Sequence, residues 1–151
     1  MINIVLYEPE IPQNAGNVAR LCACVGAKLI FIGKLGFSMS DKYLKRSGMD
    51  YWADVELEHY TTFDDFKAEN SGRLWFFETG VEKIYTTVEF QKGDNFIFGP
   101  ESRGLPAEML SANSDFCVKI PLKTGARSLN VANSCAIAAY EAVRQLGGIN
   151  P

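Results

Sequence analysis

Residues 1–32, MINIVLYEPEIPQNAGNVARLCACVGAKLIFI, contain two short apolar runs separated by a loop and a helical pattern. Residues 2–7 and 28–32 are rich in Ile, Val, Leu and Phe, which is typical of strands buried on both faces. Between them, Asn14 can cap a helix whose apolar positions recur at the helical period, and Gly26 stands where a left-handed helix stop is expected. This order of strand, helix and strand predicts a parallel pair of strands.

The same alternation continues along the rest of the chain. Further strands are predicted at residues 54–57, 74–77, 95–98 and 117–120, of which 54–57 has the weakest pattern. Pro106 opens a short helix, and a last, alanine-rich helix is predicted from Asn130 to about Leu146. The pattern predicts an α/β fold with a mainly parallel sheet flanked by helices, in a single domain over residues 1–151.

Composition excludes several classes of protein. The 151 residues are 47% hydrophobic, which is enough to bury a core. Residues 1–7 lack the features of a signal peptide, and no apolar run reaches membrane-spanning length, so we expect a cytoplasmic protein that does not enter a membrane. The four cysteines lie among apolar residues, and neither they nor the single histidine show paired ligand spacing, so we expect four reduced cysteines in the core and no metal site.

The net charge of −3 argues against a protein that coats nucleic acid non-specifically, since that mode requires a broadly basic surface. A local basic patch is still compatible with this charge. Lys42, Lys45 and Arg46 form one such cluster, which on its own is interpreted as solvated surface charge.

Three loops are the places to look for a site, because ligands of open parallel sheets bind beyond the carboxyl ends of the strands. The first loop, residues 8–17, has the sequence EPEIPQNAGN and runs into a helix that carries Arg20. The second loop, residues 99–106, has the sequence GPESRGLP and follows an aromatic strand. The third loop, residues 121–130, has the sequence PLKTGARSLN and leads into the last helix.

The loops do not match the usual phosphate or nucleophile motifs. No Gly-Lys-Ser/Thr ending is present, and the second loop lacks the middle glycine of a dinucleotide fingerprint. His59 lies in a polar stretch without a nearby nucleophile, which indicates a surface histidine. Backbone-rich loops of this kind suit a polar, adenosine-like ligand, although on spacing alone ordinary turn chemistry explains each loop equally well. The polar candidates in the loops and the following helix are Asn14, Arg20, Glu101, Ser128 and Asn130.

Taken together, the three loops and their flanking residues resemble the three motifs of the SPOUT class of methyltransferases. The resemblance is strongest to the tRNA (cytidine/uridine-2′-O)-methyltransferases that act at the anticodon wobble position. Residues 3–22 resemble the first motif, residues 98–106 the second and residues 120–141 the third. The resemblance covers essentially the whole chain.

The resemblance implies an α/β sheet whose carboxyl-terminal segment forms a deep trefoil knot, with S-adenosylmethionine bound in a bent form at the knot and S-adenosylhomocysteine as the product. It implies no metal. A glycine would let the ligand touch backbone, and apolar side chains would sandwich the adenine. The cofactor residues implied by the resemblance are Phe77, Thr79, Gly99, Glu101, Ile120, Leu122, Ser128, Leu129 and Asn130. Residues 122–126 depart from the proline-containing versions of the family, so the shape of the third loop is left open.

Methylation of a ribose hydroxyl requires in-line attack on a methyl group and loss of the hydroxyl proton. The resemblance implies that Arg20 takes part in these two tasks. It also implies that Asn14 holds the first loop and that Tyr140 shapes the hydroxyl side of the site. A guanidinium needs desolvation or a neighbouring phosphate to act as a base, whereas it can orient a phosphate in its ordinary charged form. The alternative role for Tyr140 is packing at an interface and not shaping the site.

The expected partners are a tRNA anticodon stem-loop and a second copy of the chain. The homodimer is inferred from the small size, the lack of an added RNA-binding domain and the alanine-rich last helix. Two alternatives remain open at this point. One is a SPOUT methyltransferase that acts at another RNA position, and the other is a non-catalytic nucleotide-binding α/β domain.

Overall fold

A six-stranded parallel sheet forms the centre of the protein in this computed structural model, which describes residues 1–149. The order across the sheet is β3-β2-β1-β5-β4-β6, and the five neighbouring pairs are all parallel. The strands are β1 (Asn3–Tyr7), β2 (Lys28–Ile32), β3 (Leu57–Tyr60), β4 (Leu74–Phe77), β5 (Asn95–Phe98) and β6 (Cys117–Val118). The predicted α/β class is confirmed. The trefoil knot stays a prediction, and residues 150–151 of the predicted domain lie outside the described residues.

Helices cover both faces of the sheet. They are α1 (Pro12–Val25), α2 (Lys42–Gly48), α3 (Phe63–Glu69), α4 (Ala107–Ala112) and α5 (Val131–Gln145). The alternation of side chains along β1 shows the two layers: Ile4 and Leu6 pack into the core with α1, α2 and α5, whereas Val5 packs into the core with α3 and α4. Within residues 1–149, no helix is long and apolar enough to cross a membrane.

Most predicted elements are present, but three differ from the prediction. The third strand is Leu57–Tyr60 and not 54–57, because this edge strand is only partly buried and its polar residues weaken the apolar pattern. The last strand ends at Val118 and not at residue 120. Helix α1 begins at Pro12, so Asn14 lies in its first turn and does not cap it. The prediction that all four cysteines lie in the core is wrong for Cys24, which is on the exposed side of α1.

The predicted helix ends are otherwise confirmed. Gly26 closes α1 in the left-handed conformation with φ 68°, Pro106 precedes α4, and Asn130 caps α5. Helices α2 and α3 were not predicted. Both are seven residues long, and their first turns are held by the side chains of Asp41 and Thr62.

Candidate active site

A cavity of about 500 Å³ opens at the carboxyl ends of β4 and β5 and beside the chain that follows β6. Residues of all three loops line it, as expected for ligand sites in parallel sheets. Its size lies within the range of small-molecule sites. The structure brings together ten of the predicted residues around this cavity: Asn14, Phe77, Thr79, Gly99, Glu101, Ile120, Leu122, Ser128, Leu129 and Asn130.

Glu101 fastens the first loop to the second. Its carboxylate accepts hydrogen bonds from the backbone N–H of Glu10 at 2.8 Å and of Ile11 at 3.1 Å, and from Asn14 Nδ2 at 3.2 Å. A charged acceptor makes such bonds stronger than neutral ones. Both oxygens of Glu101 accept hydrogen bonds from residues 10–14, and these bonds hold the cavity wall together. The contact of Glu101 with the cofactor stays a prediction.

Asn14 and Asn130 extend this connection to the third loop. Asn130 Nδ2 donates to Asn14 Oδ1 at 2.9 Å. Asn130 Oδ1 accepts from the backbone N–H of Ala132 at 2.9 Å and of Asn133 at 3.3 Å, which caps α5. One chain of hydrogen bonds therefore joins all three loops and the start of α5.

Glu78 lines the cavity but is not among the residues predicted from the sequence. It directly follows β4, accepts from Leu105 N at 3.0 Å and from Thr79 N at 2.8 Å, and so ties the end of β4 to the second loop. Its place after a buried aromatic strand is the signal that could have revealed it. Further lining residues that the sequence did not assign to the cofactor or catalytic set are Ile11, Phe98, Pro100, Ser102, Arg103, Gly104, Val131 and Ser134.

Gly99 is required by the packing of the second loop on itself. An added Cβ would lie 2.4 Å from the carbonyl carbon of Gly104 and 2.5 Å from Leu105 N. The expectation from the sequence is that this glycine allows close approach by a ligand, whereas an added Cβ would meet loop backbone. Gly104, at φ 70°, adopts a left-handed conformation that suits glycine.

The rim beside the cavity carries paired charges. Glu10 accepts from Ser102 N at 2.9 Å and from the Ser102 hydroxyl at 2.8 Å, and these bonds lower the pKa of Glu10. Arg103 forms a salt bridge with Glu8, whose φ of 46° is unusual for a residue with a side chain. The first and second loops are therefore joined at the rim as well as at Glu101.

Arg20 and Tyr140 lie outside the cavity. Arg20 is exposed on α1, and its guanidinium carbon lies 5.7 Å from the centre of the Tyr51 ring. Tyr140 is 52% exposed on α5, which packs against α1. The structure therefore brings Asn14 to the cavity but leaves the other two catalytic candidates on the surface of adjacent helices.

The side chains of the cavity are suited to an organic ligand. Phe77, Ile120, Leu122 and Leu129 offer apolar contacts, and the second and third loops supply backbone polar groups. Among residues 1–149, no three His, Cys, Asp or Glu side chains are grouped as ligands for a metal ion. The surroundings match the adenosine-like ligand expected from the sequence.

The family model described as SpoU rRNA Methylase matches residues 1–140. The chain belongs to this family. The SpoU methylase assignment is supported by a relative in Escherichia coli (strain K12), tRNA (cytidine(34)-2'-O)-methyltransferase, which is 44% identical over 97% of this chain and 95% of that protein. The predicted resemblance is thus confirmed.

Solved structures agree with the SpoU methylase fold. One, described as "Structural insights into the 2-OH methylation of C/U34 on tRNA", is 46% identical, with a TM-score of 0.92 over 99% of this chain and 98% of that chain. The SpoU Methyltransferase AviRb from Streptomyces viridochromogenes, in complex with AdoMet, has the same fold at 24% identity, with a TM-score of 0.84. That match covers 97% of this chain and 58% of that chain.

Proposed function

We propose that this protein is a cytoplasmic tRNA 2′-O-methyltransferase that uses S-adenosylmethionine and acts on the wobble nucleotide, a cytidine or a modified uridine. The observation that carries the proposal is the similarity to the Escherichia coli tRNA (cytidine(34)-2'-O)-methyltransferase, which extends over 97% of this chain. The cavity at the carboxyl ends of β4 and β5 supplies a site of suitable size and chemistry.

The residues around the cavity fit the cofactor. Phe77, Ile120, Leu122 and Leu129 would contact the adenine and ribose, and the backbone of the second and third loops would read the polar edges. When bound, S-adenosylmethionine supplies a methyl group on a positively charged sulfur. Calorimetry with S-adenosylmethionine and S-adenosylhomocysteine in the presence of a chelator tests this step: we expect binding of both, and no heat of binding would contradict it.

Asn14 and Arg20 would prepare the substrate side of the site. Asn14 is fixed by Glu101 and Asn130, so it holds the start of α1 against the cavity wall. Arg20, six residues further along α1, would bind a phosphate of the RNA and orient the ribose hydroxyl for in-line attack. Tyr140 would shape the hydroxyl side of this region.

The proposed working unit is a homodimer. Helix α5 exposes two large apolar side chains one turn apart, Ile137 at 36% and Tyr140 at 52%. Exposed apolar residues next to each other favour burial against a partner. Analytical ultracentrifugation at low micromolar concentration should give twice the mass of the chain. A monomer that still methylates tRNA would refute the dimer.

The anticodon loop suits a compact enzyme, since single-stranded loops expose bases and ribose hydroxyls that a duplex hides. Lys42, Lys45 and Arg46 are exposed on α2 and would contact phosphates. Binding should therefore weaken as salt rises, with a shallow slope that reflects few contacts. The choice of the wobble nucleotide rests on the relatives, which are described as acting at cytidine 34 or at C/U34 of tRNA.

A methyl-transfer assay on total tRNA, followed by nucleoside mapping, tests the reaction. We expect a labelled methyl group on a ribose, and an Arg20→Ala variant that loses this transfer while it keeps its fold and its affinity for S-adenosylmethionine. A label on a base would indicate a different SPOUT activity, and no label at all would favour a non-catalytic domain.

A further inference from the structure

Tyr51 is the aromatic neighbour of Arg20, one of the two catalytic candidates that lie outside the cavity. The guanidinium carbon lies 5.7 Å from the centre of the Tyr51 ring, within the distance at which a cation and an aromatic ring attract each other. Tyr51 is half-buried and Arg20 is exposed. Between residues 1 and 149, no hydrogen bond or ion pair of the Arg20 side chain competes with this contact.

The backbone that carries Tyr51 is fixed close to α1. Tyr51 belongs to the 3₁₀ segment Met49–Ala53, which follows α2 and packs on α1. Helices α1 and α2 meet tightly at Gly16, where an added Cβ would lie 2.4 Å from Ser47 Cβ and 2.6 Å from Leu44 O. This close packing gives Tyr51 a defined position relative to Arg20.

The chemistry of the contact suits an arginine that must bind a phosphate. A carboxylate partner would occupy the N–H donors of the guanidinium and compete with the phosphate for them. An aromatic ring attracts the cation through its electron-rich face and makes no such hydrogen bonds. It therefore restricts the long, exposed side chain, which otherwise samples many rotamers, without consuming its donors.

We propose that Tyr51 is a positioning residue for the methyl-transfer reaction, in that its ring holds the Arg20 guanidinium in an orientation ready to bind the phosphate of the substrate nucleotide. This inference rests on the role given to Arg20 in the proposed function. Tyr51 itself is not placed in contact with the reacting atoms. The hydroxyl of Tyr51 has no part in this role.

Two variants separate the ring from the hydroxyl. Tyr51→Phe keeps the ring, and Tyr51→Leu removes it while leaving an apolar side chain. Single-turnover methyl transfer with saturating tRNA and S-adenosylmethionine should be about two- to fivefold slower in Tyr51→Leu, the factor that corresponds to a cation–π contact at an exposed site. Tyr51→Phe should retain the wild-type rate, and calorimetry should give unchanged S-adenosylmethionine affinity for both. If Tyr51→Leu is poorly folded, Tyr51→Met takes its place.

A measurement on Arg20 itself gives a second readout that a merely structural role would not move. The Arg20 Nε signal in ¹⁵N spectra can be assigned by its absence from the Arg20→Lys variant. In ¹⁵N relaxation measurements this signal should show restricted motion in wild type and in Tyr51→Phe. It should show greater motion in Tyr51→Leu.

The outcomes separate the two levels of the proposal. A wild-type rate in Tyr51→Leu, or equal losses in Tyr51→Leu and Tyr51→Phe, would overturn the role of Tyr51, as would unchanged motion of Arg20 in Tyr51→Leu. If one of these results is found while Arg20→Ala is inactive, the proposed function stands without a role for Tyr51. If Arg20→Ala methylates tRNA at the wild-type rate, the role of Arg20 is itself refuted.

Discussion

Asn130 joins two interactions that substitution can separate. Its Oδ1 caps α5 through Ala132 N at 2.9 Å and Asn133 N at 3.3 Å, and its Nδ2 donates to Asn14 at 2.9 Å. Loss of an N-cap costs about 1 kcal/mol, and loss of one neutral hydrogen bond costs about as much. Asn130→Ala should therefore lower the free energy of unfolding by about 2 kcal/mol, which is a fall of about 4–8 °C in Tm for a chain of this length.

Asn130→Asp keeps the oxygen that caps α5 but removes the donor to Asn14. We expect it to lose about 1 kcal/mol, which is half of the effect of Asn130→Ala. Because both variants release the third loop from the first, both should bind S-adenosylmethionine about fivefold more weakly, the factor that corresponds to about 1 kcal/mol. Thermal unfolding and calorimetry measure the two effects. Wild-type Tm and affinity in Asn130→Asp would show that only the cap matters and that the link between the loops does not shape the cavity.

Three further predictions concern Glu101, Tyr140 and Cys22. Glu101→Gln should lower the free energy of unfolding by about 2 kcal/mol, because one hydrogen bond to the first loop is lost and the others lose their charged acceptor. An unchanged urea midpoint would contradict this. Tyr140→Ala should shift the sedimentation coefficient toward the monomer, and an unchanged dimer would remove Tyr140 from the interface. Burial raises the pKa of Cys22 to about 12 from 9.0. Above pH 9.0 the unfolded thiol therefore loses its proton while the folded thiol keeps it, so the free energy of unfolding should fall as pH rises. Urea unfolding should show a shallower fall in Cys22→Ala, and an identical pH dependence would refute this cause.

The parts of the fold that the sequence predicts well are those that local patterns determine. Buried strands such as β2 and β5 are continuous apolar runs, and Gly26 marks the end of α1 through its left-handed backbone. Helix α3 was missed although Thr62 and Asp65 form a capping box, which is a recognisable signal. The edge strand β3 was displaced because its partly buried residues follow no clear apolar pattern.

The convergence of the three loops was predictable, since the carboxyl ends of parallel strands meet at one edge of the sheet. The contacts that organise the site were not. Asn14 and Glu101 are 87 residues apart, and Asn14 and Asn130 are 116 residues apart, so no local spacing relates them. The contact between Arg20 and Tyr51 likewise depends on how α2 and the following 3₁₀ segment pack on α1.

The most direct test of the proposed function is mass-spectrometric mapping of tRNA from a strain in which the gene for this protein is deleted, beside the parent strain and a complemented strain. We expect the ribose methyl group of the wobble nucleotide to be absent in at least one tRNA of the deletion strain, and restored by the wild-type protein but not by Arg20→Ala. If every wobble 2′-O-methyl group survives the deletion while a methyl group disappears at another position, the wobble assignment is wrong even though the protein is a methyltransferase.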